Sequence, residues 1–266
     1  MAKRLLTVYF VALVLFLILP LIFLVPISLT ESQFLEFPPR SLSLRWYAAF
    51  FEDPTWVDAA ILSFRVGIGA MAISLVVGTL ASIALVRKEF PGKAVLTAIF
   101  IAPLILPTVV LALALYIVFL RYRLVDNVWA LTAAHSIVAI PYAVMLVSAS
   151  LRRFDTTLER AARVLGAGPV KAFMLVTLPY LAPAMFAAGI LAFFASFDEL
   201  IITLFVSGGA QTLPVRIWND LGLKLDPTVP AVAVMLTALS IAGMGVGELI
   251  RRRNERHYST ETSAEA

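Results

Sequence analysis

The sequence predicts an all-α integral membrane protein with six transmembrane helices, and three observations carry that expectation. Of the 266 residues, 61% are hydrophobic and 14% charged, against about 45–50% and about 25% in soluble domains. A water-soluble fold of this composition would expose large apolar patches and aggregate. Six apolar runs are long enough to cross a hydrocarbon core of about 30 Å at about 1.5 Å per residue. Their apolar residues are continuous rather than alternating, the pattern of membrane helices and not of barrel strands.

The first expected span, residues 5–29, carries no charge and is too long for the apolar core of a cleaved signal peptide, so it reads as retained behind Lys3 and Arg4. The second, 59–86, contains Arg65, and the third, 94–120, contains no charged residue. The fourth, 128–151, contains His135, and the fifth, 178–206, contains Asp198 and Glu199. The sixth, 229–250, stops before Arg251, Arg252 and Arg253, and Gly243 with Gly247 gives it a GxxxG spacing suited to close helix contact. Together the spans make one transmembrane domain, 1–250, followed by a tail, 251–266. Six spans leave both termini on one side of the bilayer. Fourteen of the 21 Lys and Arg residues fall on that side, so the positive-inside rule makes both termini cytoplasmic. Trp46, Trp56, Trp129 and Trp218 all fall at outer ends, where amphipathic rings favour the interface.

The cytoplasmic stretch 154–177 carries the most local information. Thr156 and Glu159 have capping-box spacing, so a short helix is expected to start there. Leu158, Ala161, Ala162 and Leu165 follow a helical apolar stripe, with Arg160 and Arg163 turned to water or a partner. Gly166 supplies the left-handed residue that ends the helix. Pro169 opens a second helical turn, and Leu178-Pro179 leads into span five. Such a segment also fits a plain amphipathic connector lying on the membrane.

With those residues in view, the chain resembles the permease subunit of a type I ATP-binding-cassette importer. The family's cytoplasmic signature is Glu-Ala-Ala, three residues, Gly, nine more, then an apolar residue, any residue, Leu-Pro; Ala161, Ala162, Gly166, Val176, Leu178 and Pro179 match in register. The family glutamate falls on Arg160, with Glu159 one residue before it, which leaves that carboxylate's contact open between the two positions. The likeness runs from about residue 58 to 250 and includes Ala134-His135, Pro141-Tyr142, Phe154-Asp155, Ser196-Phe197-Asp198-Glu199 and Thr212-Leu213-Pro214. It is most similar to the spermidine/putrescine branch.

The resemblance implies that residues 154–177 form a coupling helix that docks on an ATPase, with Glu159, Arg160, Ala161, Ala162 and Gly166 as contact positions. It also implies a bacterial-type inner membrane, two separate ATPase subunits holding ATP and Mg, a second and different permease chain, and an extracytoplasmic solute-binding protein. No cofactor is expected in this chain. Gly92-Lys93 lacks the glycine spacing of a phosphate-binding loop, and no His-Glu-x-x-His or Gly-x-Ser-x-Gly motif points to an enzyme. With no cysteine and His257 as the only companion of His135, a metal site is not expected. Nothing in the pattern points to nucleic acid.

Ionisable residues within spans are functional candidates because burying a charge without a partner is costly. Arg65 lies about 9 Å and His135 about 10 Å from the outer ends of their spans, and Asp198 and Glu199 reach the same outer half from the other side. A carboxylate there offers an organic cation its counter-charge. The alternative is a structural pair between Arg65 and one of the carboxylates. Two further functional readings stand beside the polyamine importer. One is an importer of an amino-acid-like or aminophosphonate solute, the other a proton-coupled transporter with Asp198, Glu199 and His135 as a relay.

Overall fold

A computed structural model describes residues 2–223, 226–243 and 245. The chain divides into two compact units, residues 1–57 with 217–266, and residues 58–216. Helix α1 (Ala2–Ser28) leaves its side chains exposed along most of its length, as a lipid-facing helix requires. Behind it the chain forms a small folded loop ending in α2 (Arg45–Glu52). Trp46 donates its indole N–H to the Thr30 carbonyl at 2.8 Å, and the Ser28 and Tyr47 hydroxyls lie 2.7 Å apart. Trp56 packs with its ring centroid 6.1 Å from that of Phe50. Trp46 and Trp56 are therefore buried within the protein, whereas Trp129 and Trp218 are exposed.

Helix α3 (Pro54–Arg87) runs 34 residues, about 50 Å at 1.5 Å per residue. The stretch expected as a single third span is two helices, α4 (Lys93–Ile105) and α5 (Thr108–Arg121), bent by 107°. The physical reason is Pro107: it has no N–H to continue the ladder, and it drives Leu106 to an extended conformation at φ −71°, ψ 138°. Each half reaches only about 20 Å, so the pair is a broken span or a re-entrant loop.

Helix α6 (Val128–Arg153) starts at Asn127, whose side chain accepts from the Trp129 and Ala130 N–H groups. Helix α7 (Thr156–Val164) follows it closely. The second helical segment of this loop is no separate element. Helix α8 (Pro169–Ala172) continues through a π-turn (Phe173–Thr177) into α9 (Leu178–Phe197), one apolar run of 29 residues. It ends earlier than expected, at Phe197, and α10 (Ile201–Val206) follows a break. Then come α11 (Leu213–Leu223) and α12 (Thr228–Gly243). The end of the sixth expected span, Gly247 and the tail 251–266 lie outside the described residues.

Among the described residues, four helices are long and apolar enough to cross a membrane: Arg4–Ser28, Pro54–Arg87, Val128–Arg153 and Pro169–Phe197. In the core of the second unit Ala143, Val147 and Leu151 of α6 pack on Leu181 and Ala188 of α9, and α3 closes on α6 beside them. Ala70, Ser74, Gly78 and Ser82, every fourth residue of α3, are buried, and this small-residue stripe lets the two backbones approach. Ser82 Oγ donates to the Val144 carbonyl at 3.2 Å. A Cβ added at Gly78 would sit 2.5 Å from the Ala143 Cβ and 3.2 Å from the Val144 backbone nitrogen. Val66, Leu131, Ile202 and Val206 close the neighbouring part of this core.

Candidate coupling and translocation sites

Helix α7 is built by local chemistry. Its N-cap is Asp155, whose carboxylate accepts from the Thr157 N–H at 2.9 Å and is thereby held below its ordinary pKa. The expected capping box between Thr156 and Glu159 does not form, because the aspartate is already in place. Gly166 has φ +93°, and the Ala167 N–H returns to the Ala162 carbonyl at 3.1 Å. That is the left-handed ending the sequence implied.

Freed from capping, Glu159 ties the loop to the spans. Its Oε2 lies 2.8 Å from Arg87 Nη2, at the last residue of α3, and accepts from Thr177 Oγ1, also at 2.8 Å. Arg87 Nη2 donates to Thr177 Oγ1 at 3.3 Å, closing a triangle. The Arg87 guanidinium carbon also stands 5.9 Å from the centroid of the Phe154 ring and 6.0 Å from that of Phe173, the reach of a cation–π contact. Thr177 is fully buried and closes the π-turn, a helix irregularity that frequently marks functional sites. Partial burial alone would raise the Glu159 pKa; the Thr177 hydroxyl and the Arg87 charge outweigh it and hold the carboxyl below its ordinary range. Arg160, Ala161 and Gly166 are exposed and Ala162 is half-buried. The loop thus presents a free surface while Glu159 anchors it.

The four ionisable residues expected in the bilayer do not form one cluster. His135 is buried, with Nδ1 3.0 Å from the Ser196 carbonyl and 2.9 Å from Ser196 Oγ, and Nε2 3.0 Å from Thr203 Oγ1. Both ring nitrogens are occupied in joining α6 to the end of α9 and to α10. Asp198 and Glu199 are not on a spanning helix, as expected, but in the break after Phe197. There Glu199 Oε1 accepts from the Ile202 N–H at 3.0 Å and opens α10, supplying an acceptor to an otherwise orphan donor. Asp198 is exposed. Beside it Phe193 stacks on Phe197 and Phe64 meets Phe197 edge-on, each with its ring centroid 5.2 Å from that of Phe197. Arg65 is exposed on α3, and among the described residues no carboxylate lies within 4 Å of it. The structural pair between Arg65 and residues 198–199 is therefore not formed. No group of three or more His, Asp or Glu residues able to hold a metal ion occurs among the described residues.

Sequence reasoning missed Arg87, Thr177, Ser196 and Thr203. The first two had a visible signal, since Arg87 ends the second apolar run and Thr177 precedes Leu178-Pro179. Ser196 stood in the likeness without a role and Thr203 gave no signal, because a hydroxyl in an apolar run gains a partner only through tertiary packing.

A bundle of apolar helices, broken beside polar groups and carrying an amphipathic loop helix pinned to the ends of its spans, defines a multi-span helical membrane protein. Residues 74–256 match the family described as binding-protein-dependent transport system inner membrane component, and the chain belongs to that family. It is 30% identical over 240 residues to the spermidine/putrescine transport system permease protein PotC of Haemophilus influenzae, covering 90% of this chain and 93% of that protein. It is 32% identical over 253 residues to the putrescine transport system permease protein PotI of Escherichia coli K12, covering 91% and 89%. In fold it is similar to a chain from the crystal structure of a bacterial ABC transporter involved in import of the acidic polysaccharide alginate. That likeness has a TM-score of 0.68 at 14% identity, over 94% of this chain and 95% of the other.

Proposed function

We propose that this chain is the permease subunit of an ATP-driven importer that moves a small organic cation, a polyamine such as spermidine or putrescine, into the cytoplasm by alternating access. The observation that carries the reading is similarity to permeases named for polyamine transport along 90% of the chain. ATP and Mg are held by two separate ATPase subunits. A second, related permease chain completes the channel, and an extracytoplasmic binding protein delivers the solute. Both termini are cytoplasmic.

In this reading α7 is the coupling helix. Its surface away from the spans, Ala161 and Gly166 among it, meets the ATPase, and Glu159 passes the motion to α3 and α9 through Arg87 and Thr177. Asp198 faces the path beside the Phe64, Phe193 and Phe197 rings, a carboxylate and aromatic faces being what an ammonium group seeks. Arg65 and Glu199 flank the path, Glu199 mainly as the cap of α10. His135 holds α6, α9 and α10 together rather than relaying protons.

The test is uptake of labelled putrescine and spermidine by the assembled transporter in proteoliposomes. The wild type is expected to need ATP, and Asp198→Asn to lose at least tenfold in uptake while Asp198→Glu retains part of it. Uptake that survives ATP depletion with the proton gradient maintained would favour a proton-coupled transporter. Unchanged uptake in Asp198→Asn would remove the path role, and transport of an amino-acid-like or aminophosphonate solute instead would overturn the substrate class.

A further inference from the structure

Between the ends of α3 and α6 and the inner side of α7 lies an open cleft of about 720 Å³. Four arginines line it, Arg87, Arg152, Arg160 and Arg163, with a single carboxylate, Glu159. That carboxylate is already bound to Arg87 and Thr177. Among the described residues, no carboxylate lies within 4 Å of Arg152, Arg160 or Arg163. Asp155 and Glu159 act on Arg160 and Arg163 only from beyond contact distance, so three guanidiniums line one space with no carboxylate paired to any of them, an excess of positive charge that an anion would offset.

Two observations say what kind of anion fits. Arg87 is the last residue of α3 and Arg152 lies in the last turn of α6, so the cleft opens where spanning helices leave the hydrocarbon and lipid headgroups begin. Basic pockets between helix ends on the cytoplasmic side suit headgroup phosphates, and the guanidinium fork matches a phosphate bidentately. Val86 and Leu151 supply an apolar wall beside the arginines. The second observation concerns α7 itself. At about 100° per residue, Thr156, Glu159, Arg160 and Arg163 share one face. Leu158, Ala161 and Leu165 lie on the opposite face, where Leu158 is 53% and Leu165 88% exposed. The helix thus keeps an apolar face for a protein partner and turns its basic face to the cleft.

We propose that this cleft binds the phosphodiester headgroup of an anionic lipid, which bridges α7 to the ends of α3 and α6. The proposal rests on the reading that residues 154–177 face the cytoplasmic leaflet. The assembled transporter is reconstituted in phosphatidylcholine nanodiscs containing phosphatidylglycerol, and retained lipid is counted by native mass spectrometry. Retention is scored without any transport, so a wrong solute or energy source leaves this test intact. The wild type is expected to retain phosphatidylglycerol at least tenfold over phosphatidylcholine. The triple variant Arg152→Gln/Arg160→Gln/Arg163→Gln loses that preference, and Arg163→Gln alone loses part of it, which covers a triple variant that fails to fold. Equal retention by wild type and Arg163→Gln overturns the proposal. So does displacement of the lipid by millimolar inorganic phosphate, which makes the cleft a free-phosphate site. Loss of the ATPase subunits with lipid retention unchanged also overturns it, in favour of an acidic protein surface.

Discussion

Replacing Glu159 with alanine removes both contacts on Oε2, each 2.8 Å long, and leaves Arg87 with only its 3.3 Å bond to Thr177 Oγ1 and the Thr177 hydroxyl without its acceptor. Hydrogen bonds to charged groups contribute about 1.5–3 kcal/mol net. Side-chain exposures of 25% for Arg87 and 17% for Glu159 pull the ion pair toward the surface value of up to about 1 kcal/mol. About 2 kcal/mol for the two contacts together is the working magnitude, which multiplies the detached population of α7 by about 30. Hydrogen exchange of residues 156–164 in the assembled transporter reads that population directly. The ratio of ATP hydrolysed to solute carried reads its consequence, and is expected to rise as hydrolysis loses its grip on the spans. Arg87→Ala is expected to do the same, and the double variant to add little to either single change. If Glu159→Ala leaves both exchange and the ratio unchanged, or if the two substitutions add fully, the triangle carries no coupling.

Gly78→Leu forces atoms into the Ala143 and Val144 backbone, and overpacking at such a contact costs about 1–3 kcal/mol or more; a lowered Tm in detergent is the measure. His135→Leu strands the Ser196 hydroxyl and leaves that of Thr203 with only the Glu199 carbonyl, at about 1–3 kcal/mol for a buried unsatisfied group. The outcome is a lower Tm at every pH, with the pH dependence of uptake unaltered. Because the Glu159 carboxyl is held below its ordinary pKa, its contribution is complete above the ordinary carboxylate range and is lost as pH falls through the lowered value. Protection of α7 is therefore expected to stay flat through mildly acidic pH and collapse only below that range, and Glu159→Gln to abolish the collapse.

Where the chain is long, apolar and uninterrupted, the fold was legible from the sequence. The helices Pro54–Arg87 and Val128–Arg153 lie close to their expected limits because a helix in lipid must satisfy its own backbone. The interruptions were harder. Pro103 and Pro107 were visible, but prolines are tolerated in spans, so the bend at Leu106 needed the backbone itself. The break at residues 198–200 has no proline or glycine; its only signal was a pair of carboxylates able to open a new helix. In the loop, Gly166 and the limits of α7 could be read because they follow from local chemistry. The partner of Glu159 could not, since Arg87 is far away in sequence and a box with Thr156 was the nearer alternative. The stripe of Ala70, Ser74, Gly78 and Ser82 holds a single glycine, so a GxxxG spacing such as that of Gly243 and Gly247 does not reveal it.

The anchoring of residue 159 by residue 87 also bears on how such proteins can be recombined. A graft that moves residues 154–177 into another permease to redirect it toward a different ATPase would carry Glu159 and Thr177 but leave Arg87 behind. The transplanted segment would arrive with a carboxylate whose cation belongs to the donor's span. Residue 87 and the segment are therefore the smallest exchangeable module, and a chimera should be cut on both sides of the triangle rather than at the two ends of the loop.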